Sequence, residues 1–303
     1  MQRSRRVFTL LFAAVVQATA LVALHWVFVT RVRGQYADAM SLAGASIGFR
    51  HIDDLVYGVL DVVSVATVIA GIVLIGVVAL VRRRFVLAAA TAILVVGANV
   101  TTQVLKRFVL DRPDLVDLYP GDVVGSASNT MPSGHTTVAM SVAVAFVLVV
   151  PSRVRGLVAV LATGYAAVTG VGTLAARWHR PSDVVAACCV VGLWAALVGA
   201  FAVAKKVPRR TARDSAGRVV PLLAVVGVLL LAAGAGCLAL TWLTGPGDLG
   251  RTEHFVAYAG GAAGIAGACA VVMAGVLAFA PWLAPEPARP AAKTQARRDR
   301  VAG

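Results

Sequence analysis

Carboxylates are scarce in this chain: 14 Asp and Glu stand against 28 Lys and Arg, and charged residues of both signs make up only 14% of 303 positions. A soluble domain carries about a quarter charged residues, so composition argues against a soluble fold. Cysteines are equally few. Cys188, Cys189, Cys237 and Cys269 all fall inside apolar runs, without metal-ligand spacing and without a loop location. That leaves no disulfide framework and no cysteine metal site, only small packing residues. Internal repeats are missing as well. The cluster Arg3 to Arg6 precedes an apolar run with no convincing cleavage site after it, so the run reads as an uncleaved first helix rather than a signal peptide.

What the chain has in abundance is apolar surface, 59% of its residues, in long runs of Val, Ala, Leu and Gly. About 20 such residues cross a bilayer as a helix. The runs predict eight spans, near 7–30, 57–81, 85–105, 132–150, 156–174, 183–204, 219–243 and 255–283. Each must be helical, because lipid offers no partner to an open backbone. The fold class is therefore all-α and polytopic. Residues 1–204 are expected to form a core, 205–283 to add an accessory pair of transmembrane helices, and 284–303, rich in Pro, Ala and Arg, to be a disordered cytoplasmic tail.

The formal charge of +14 could suggest nucleic acid, but the cations sit in short clusters between apolar runs. That is the signature of the positive-inside rule. One set of loops holds 19 of the Lys and Arg residues and the alternate set holds 9. The richer set is taken as cytoplasmic, which places both termini inside. Five of the nine outer cations fall in two segments, 106–113 and 177–183, against the topological trend. They need another reason to be there.

Three segments on that outer face carry the chemistry: Lys106 to Pro113 after the third span, Pro132-Ser133-Gly134-His135 opening the fourth, and Trp178 to Asp183 opening the sixth. Lys106 and Arg112 offer a point charge and a planar fork to phosphate oxygens. Ser133 and Gly134 put backbone N–H groups at a helix start, where the dipole favours an anion. His179 and Asp183, four apart, share a helix face if the first turn is helical. Asp183 would then hold the proton of one ring nitrogen and leave the other free to attack phosphorus, with His135 as general acid. Taken singly, each segment also reads as a helix start, a helix exit or an interfacial histidine. It is their occurrence in order, at helix ends on one face, that points to phosphate chemistry.

At these residues the chain resembles the type-2 phosphatidic-acid phosphatase superfamily, which includes lipid phosphate phosphatases and bacterial undecaprenyl-pyrophosphate phosphatases. The family pattern is Lys, six residues, Arg-Pro; then Pro-Ser-Gly-His; then Ser-Arg, five residues, His, three residues, Asp. The resemblance covers about residues 85–204 and implies a six-helix core, a phosphohistidine intermediate and no metal or other cofactor. It makes His179 the nucleophile, Asp183 its orienting partner and His135 the acid, with Ser133, Gly134, Lys106 and Arg112 binding phosphate. Two positions depart from the pattern. Five residues, not six, separate Lys106 from Arg112, and the Ser-Arg pair falls at Gly172-Thr173. Arg177 and Arg180 are the candidates to replace the lost cation.

The expected activity is hydrolysis of a membrane lipid phosphate or pyrophosphate at the outer face. A pyrophosphate carrier lipid leads, with phosphatidylglycerol phosphate and prenyl-phosphoribose as alternatives. The competing class is a non-catalytic transporter or scaffold on the same helices. The expected partners are the substrate lipid and the bilayer, with no nucleic acid; Gly260 and Gly264 permit close packing, and a homo-oligomer through transmembrane helices is part of this reading. Elsewhere, Asn99, Gln103 and Lys106 share a helix face and favour interhelical hydrogen bonding over a path to the site. Asp61 needs a partner at its depth, Asp53 and Asp54 read as loop residues, His51 and His254 as loop histidines without partners, and His25 as packing. Segment 31–56 reads as an outer loop lying along the membrane surface.

Overall fold

In the computed structural model of this chain, the described residues are 2–45, 73, 75–77, 81, 85–113, 130–205, 215–244 and 250–283. Among them every regular element is helical: α1 (Gln2–Phe28), α2 (Val32–Gly44), α3 (Phe85–Val104) running into a π turn (Leu105–Val109), α4 (Gly134–Val149), α5 (Arg155–Ala175), α6 (Pro181–Ala204), a 3-10 turn (Ser215–Arg218), α7 (Val219–Thr244) and α8 (Arg251–Leu283). Six of these, α1, α3, α5, α6, α7 and α8, are long and apolar enough to cross a membrane, and α4 is a shorter apolar helix of 16 residues. The protein is a polytopic membrane protein. The expected span 57–81 falls mostly outside the described residues, as do His51, Asp53, Asp54, Asp61 and the 284–303 tail.

Each helix boundary has a local cause. α4 starts where Ser133 caps it, its hydroxyl accepting from the Thr136 amide. It stops before Pro151, which cannot extend a helix. Arg155, almost wholly buried, then closes that end, donating from Nε to the Val147 carbonyl and from Nη2 to the Val150 carbonyl. A cation is favoured at a helix C-terminus. α6 begins with Pro181 at its first position, where a missing N–H costs nothing.

α6 is the centre of the bundle. It is buried along most of its length and packs on α1, α3, α4 and α8. An all-round apolar sequence is what a central helix requires. By contrast α1 buries only Leu10 and Ala14, and α7 only four residues, so their outer faces present Phe8, Phe12, Leu222 and Leu229 to the outside. In lipid such surface carries no penalty; close contact between small residues is what brings helices together. Gly227, Gly234 and Gly267 do this between α7 and α8. A Cβ on Gly234 would meet the Gly260 carbonyl and the Gly264 amide at 2.8 Å. These glycines are thus occupied inside one chain. α8 also shares its buried face with α6, where Cys269 Sγ lies 3.6 Å from Cys188 Sγ, and both thiols are free. Since backbone cannot yield, Gly234→Leu is expected to force α7 from α8, costing about 1–3 kcal/mol as overpacking does. Gly236→Leu, whose Cβ meets nothing within 4 Å, is the control. Thermal midpoints of the two variants would separate the cases, and equal midpoints would refute the tight crossing.

The segment after α1 departs from the expectation of a surface loop. Residues 32–44 form α2, buried on nearly all sides and lodged against α8, α7 and α1. Its polar residues are buried because other elements satisfy them. Ser41 donates to the Ala257 carbonyl of α8, and Gln35 Nε2 donates to the carbonyls of Val29 and Pro113. α2 is too short to span and closes one end of the bundle. At that same end lie the π turn of α3 and the starts of α4, α6 and α8.

Candidate active site

Three helix ends converge there. The end of α5 is closed by a Schellman arrangement: Arg177 N donates to the Leu174 carbonyl and Trp178 N to the Thr173 carbonyl. Arg177 occupies the left-handed position with φ 61°, usually a glycine site. Its side chain is exposed and makes no hydrogen bond or ion pair among the described residues. Arg177→Gly is therefore expected to stabilise the fold by about 0.5–1 kcal/mol, measured as a rise in thermal midpoint; a fall would mean that the side chain has a binding role. The Thr173 carbonyl also accepts from His179 N at 3.2 Å, so the end of α5 fixes the backbone of the histidine loop.

His179 is buried, and its Nδ1 lies 3.6 Å from Asp183 Oδ2. This is longer than a formed hydrogen bond, and catalytic contacts are often loose before substrate binds. With Nδ1 turned to the carboxylate, Nε2 is on the opposite side of the ring. The His135 and His179 rings lie 6.0 Å apart, centroid to centroid, at 62°. The half-exposed Trp178 ring packs 5.3 Å from His135. The two imidazoles and the carboxylate expected from the sequence do come together.

Asp183 is fully buried and heavily engaged. Its carboxylate accepts from Arg180 N at 3.0 Å and from the Thr130 hydroxyl, and pairs with Arg112 Nη2 at 3.5 Å. Three partners hold it in place, which fixes the group that orients His179. Arg112 is itself buried, and its Nε has no hydrogen-bond partner among the described residues. Arg180 is buried one residue from His179. Of the two arginines expected to replace the family cation, Arg180 thus lies within the cluster and Arg177 is exposed at its edge. Thr173, at the position of that cation, is wholly buried and donates its hydroxyl to the Gly170 carbonyl.

The α4 start differs in one respect from the expectation. Ser133 has no exposed surface, its hydroxyl is committed to Thr136, and its N–H donates to the Asp183 carbonyl at 2.9 Å. Ser133 therefore ties α4 to α6. The helix-terminal amides that remain to face an anion are those of Gly134 and His135. A Cβ on Gly134 would meet only Gln103 Nε2, at 3.7 Å. Among the described residues no atom demands glycine there. Lys106 sits in the π turn, half-buried and within electrostatic reach of His135. The chain between Lys106 and Arg112 leaves α3 through the wide π turn Leu105–Val109 before it extends at Leu110. Asn99 donates to Ser141 Oγ of α4 and to the Val95 carbonyl, the interhelical role expected of it. Gln103 is exposed next to Gly134.

Sequence reasoning did not find Thr130, which grips Asp183, nor the ring of His25, whose Nε2 bonds the Asp111 carbonyl at 3.1 Å beside Arg112. Nor did it find Asp38, whose carboxylate accepts from the amide and the hydroxyl of Ser182. The one signal for Asp38 was the rarity of acidic residues in this chain. Residues 84–208 match the family model described as PAP2 superfamily. No curated protein and no solved structure matches the chain.

Proposed function

We propose, from the premise that residues 84–208 belong to the PAP2 superfamily, a family of phosphatase type, that this protein hydrolyses a lipid phosphate or pyrophosphate through a phosphohistidine. The observation that carries the reading is the convergence of the His135 and His179 rings, with Asp183 behind one of them and Arg112 and Arg180 buried alongside. Arg112, Arg180, Lys106 and the amides of Gly134 and His135 would hold the anion. His179 Nε2 attacks phosphorus as the bond to the leaving oxygen breaks, and His135 delivers a proton to that oxygen. Asp183 stabilises the charge that forms on the His179 ring. Water, deprotonated by His135 in the second half, then cleaves the P–N bond and releases inorganic phosphate.

A lipid is the favoured substrate class because the cluster sits where spanning helices end, and exposed Phe108, Val109 and Trp178 surround it. The excess of cations in the alternate loops supports an outward-facing site in a cell membrane, with both termini inside. The second reading, a non-catalytic relative, draws support from Thr173, which brings no charge to the site.

One assay separates the two. The purified protein is expected to release phosphate from prenyl pyrophosphate or phosphatidic acid with a chelator present. Release abolished by the chelator would remove the metal-independent mechanism, and no release from any lipid or generic phosphate ester would favour the second reading.

A further inference from the structure

The helix that carries the catalytic carboxylate caps itself only in part: Asp183, its third residue, accepts from the Arg180 amide, while the Ser182 amide takes its acceptor from outside the helix. Its N-cap residue is Arg180, whose side chain is a donor and cannot accept from the orphan amides of the first turn. The acceptor comes from elsewhere. Asp38, on α2, takes the Ser182 amide at 3.1 Å on Oδ1 and the Ser182 hydroxyl at 2.5 Å on Oδ2. Asp38 is wholly buried, and it lies outside the segment that matches the family. The same helix donates from Gln35 to the carbonyl of Pro113, next to Arg112. α2 therefore touches both the arginine loop and the helix that carries Asp183.

We propose that Asp38 is a positioning residue of this site: it caps the first turn of α6 through Ser182 and counterbalances Arg112 and Arg180, which keeps Asp183 aimed at His179. The proposal rests on the phosphatase reading for its catalytic consequence, and on geometry alone for its structural one. In this buried cluster Asp38 interacts electrostatically with Asp183, Arg112 and Arg180, and Asp183 pairs with Arg112. The other titratable and charged groups on the elements packed against α2 are Arg251, Glu253, His254, Tyr258 and Cys269 of α8, Arg3, Arg5, Arg6 and His25 of α1, Cys237 of α7, and Cys188 and Cys189 of α6. Burial, reinforced by Asp183, raises the Asp38 carboxyl to about 6, while Arg112, Ser182 and Arg180 pull the other way. A carboxyl raised in the folded state opposes folding once ionised. Its penalty is absent well below pH 3.8, grows between there and about pH 6 and is full above that.

The experiment uses the full-length protein in liposomes, with phosphatidic acid as the probe substrate. Asp38→Ala is expected to lower kcat by about 100-fold, the scale of a 1 Å misplacement, with KM changed less than about threefold. Asp38→Asn keeps an acceptor for Ser182 but no charge. Its kcat should return to within about tenfold of wild type, with an acid limb of kcat/KM shallower than wild type's. Its thermal midpoint relative to wild type should rise from pH 4 to pH 8; the altered acid limb of kcat/KM is the readout that a merely structural residue would not move. In parallel, hydrogen exchange of the 177–186 segment should be faster in Asp38→Ala than in wild type. Should Asp38→Ala not fold, Asp38→Asn and Ser182→Ala carry both comparisons. An active wild type whose variants keep its kcat and pH profile would overturn the proposal. A wild type that releases no phosphate would instead sink the phosphatase reading, and exchange alone would then decide: unchanged protection of 177–186 refutes the Asp38 cap, and faster exchange upholds it.

Discussion

His179→Ala is expected to lower phosphate release by about four orders of magnitude or more, the scale seen when a covalent nucleophile is removed from a site that otherwise remains intact. The expectation rests on position. His179 is the ring whose Nδ1 faces a fully buried carboxylate, so its far nitrogen is the one left to attack. Among the described residues His135 has no carboxylate partner of this kind; its ring neighbours are Trp178 and His179. A general acid contributes about 10²–10⁴-fold, so His135→Ala should retain more activity than His179→Ala. The check is phosphate release against time for both variants, together with acid-labile, base-stable incorporation of labelled phosphate. Label trapped in His179→Ala, or a larger loss in His135→Ala, would reverse the two assignments.

Asp183→Ala is the second large effect, and it strikes the fold as well as the chemistry. The substitution removes the acceptor for Arg180 N and for the Thr130 hydroxyl and strips Arg112 of its carboxylate within a buried cluster. Removing one partner of a buried ion pair costs about 3–5 kcal/mol, because the other charge is left uncompensated. A marginally stable protein has only about 5–15 kcal/mol to lose. Asp183→Ala should therefore express poorly or melt many degrees early. Asp183→Asn, which retains an acceptor oxygen, should fold better yet lose activity by about 10⁴-fold through misorientation of the ring. A variant as stable and active as wild type would mean that the carboxylate does not orient His179.

Much of this architecture could be read in the sequence because membranes simplify the problem. A run of some twenty apolar residues has few structural options, and phosphate chemistry placed at three helix ends is hard to assemble otherwise. What escaped was polar burial between helices. Residues 32–44 carry Gln35, Asp38 and Ser41, so they read as a surface segment; they are buried because α8, the Pro113 carbonyl and Ser182 satisfy them across 78 to 216 residues of chain. No local pattern encodes such partners. Ser133 escaped for a related reason. Its hydroxyl could serve a ligand or a helix start, and only the bond to Thr136 decides. The choice between Arg177 and Arg180 likewise turned on the backbone conformation at the end of α5.

One detail of the loop between α5 and α6 has a mechanical consequence. The backbone of His179 hangs from the Thr173 carbonyl at the end of α5, whereas Asp183 rides in the first turn of α6. Nucleophile and orienting base are thus mounted on two different membrane-spanning rods. Helices answer a thicker or thinner hydrocarbon layer by changing tilt. Any scissoring of this pair would alter the 3.6 Å gap between ring and carboxylate, so under the proposed mechanism acyl-chain length in the surrounding bilayer is expected to tune the bond-making step.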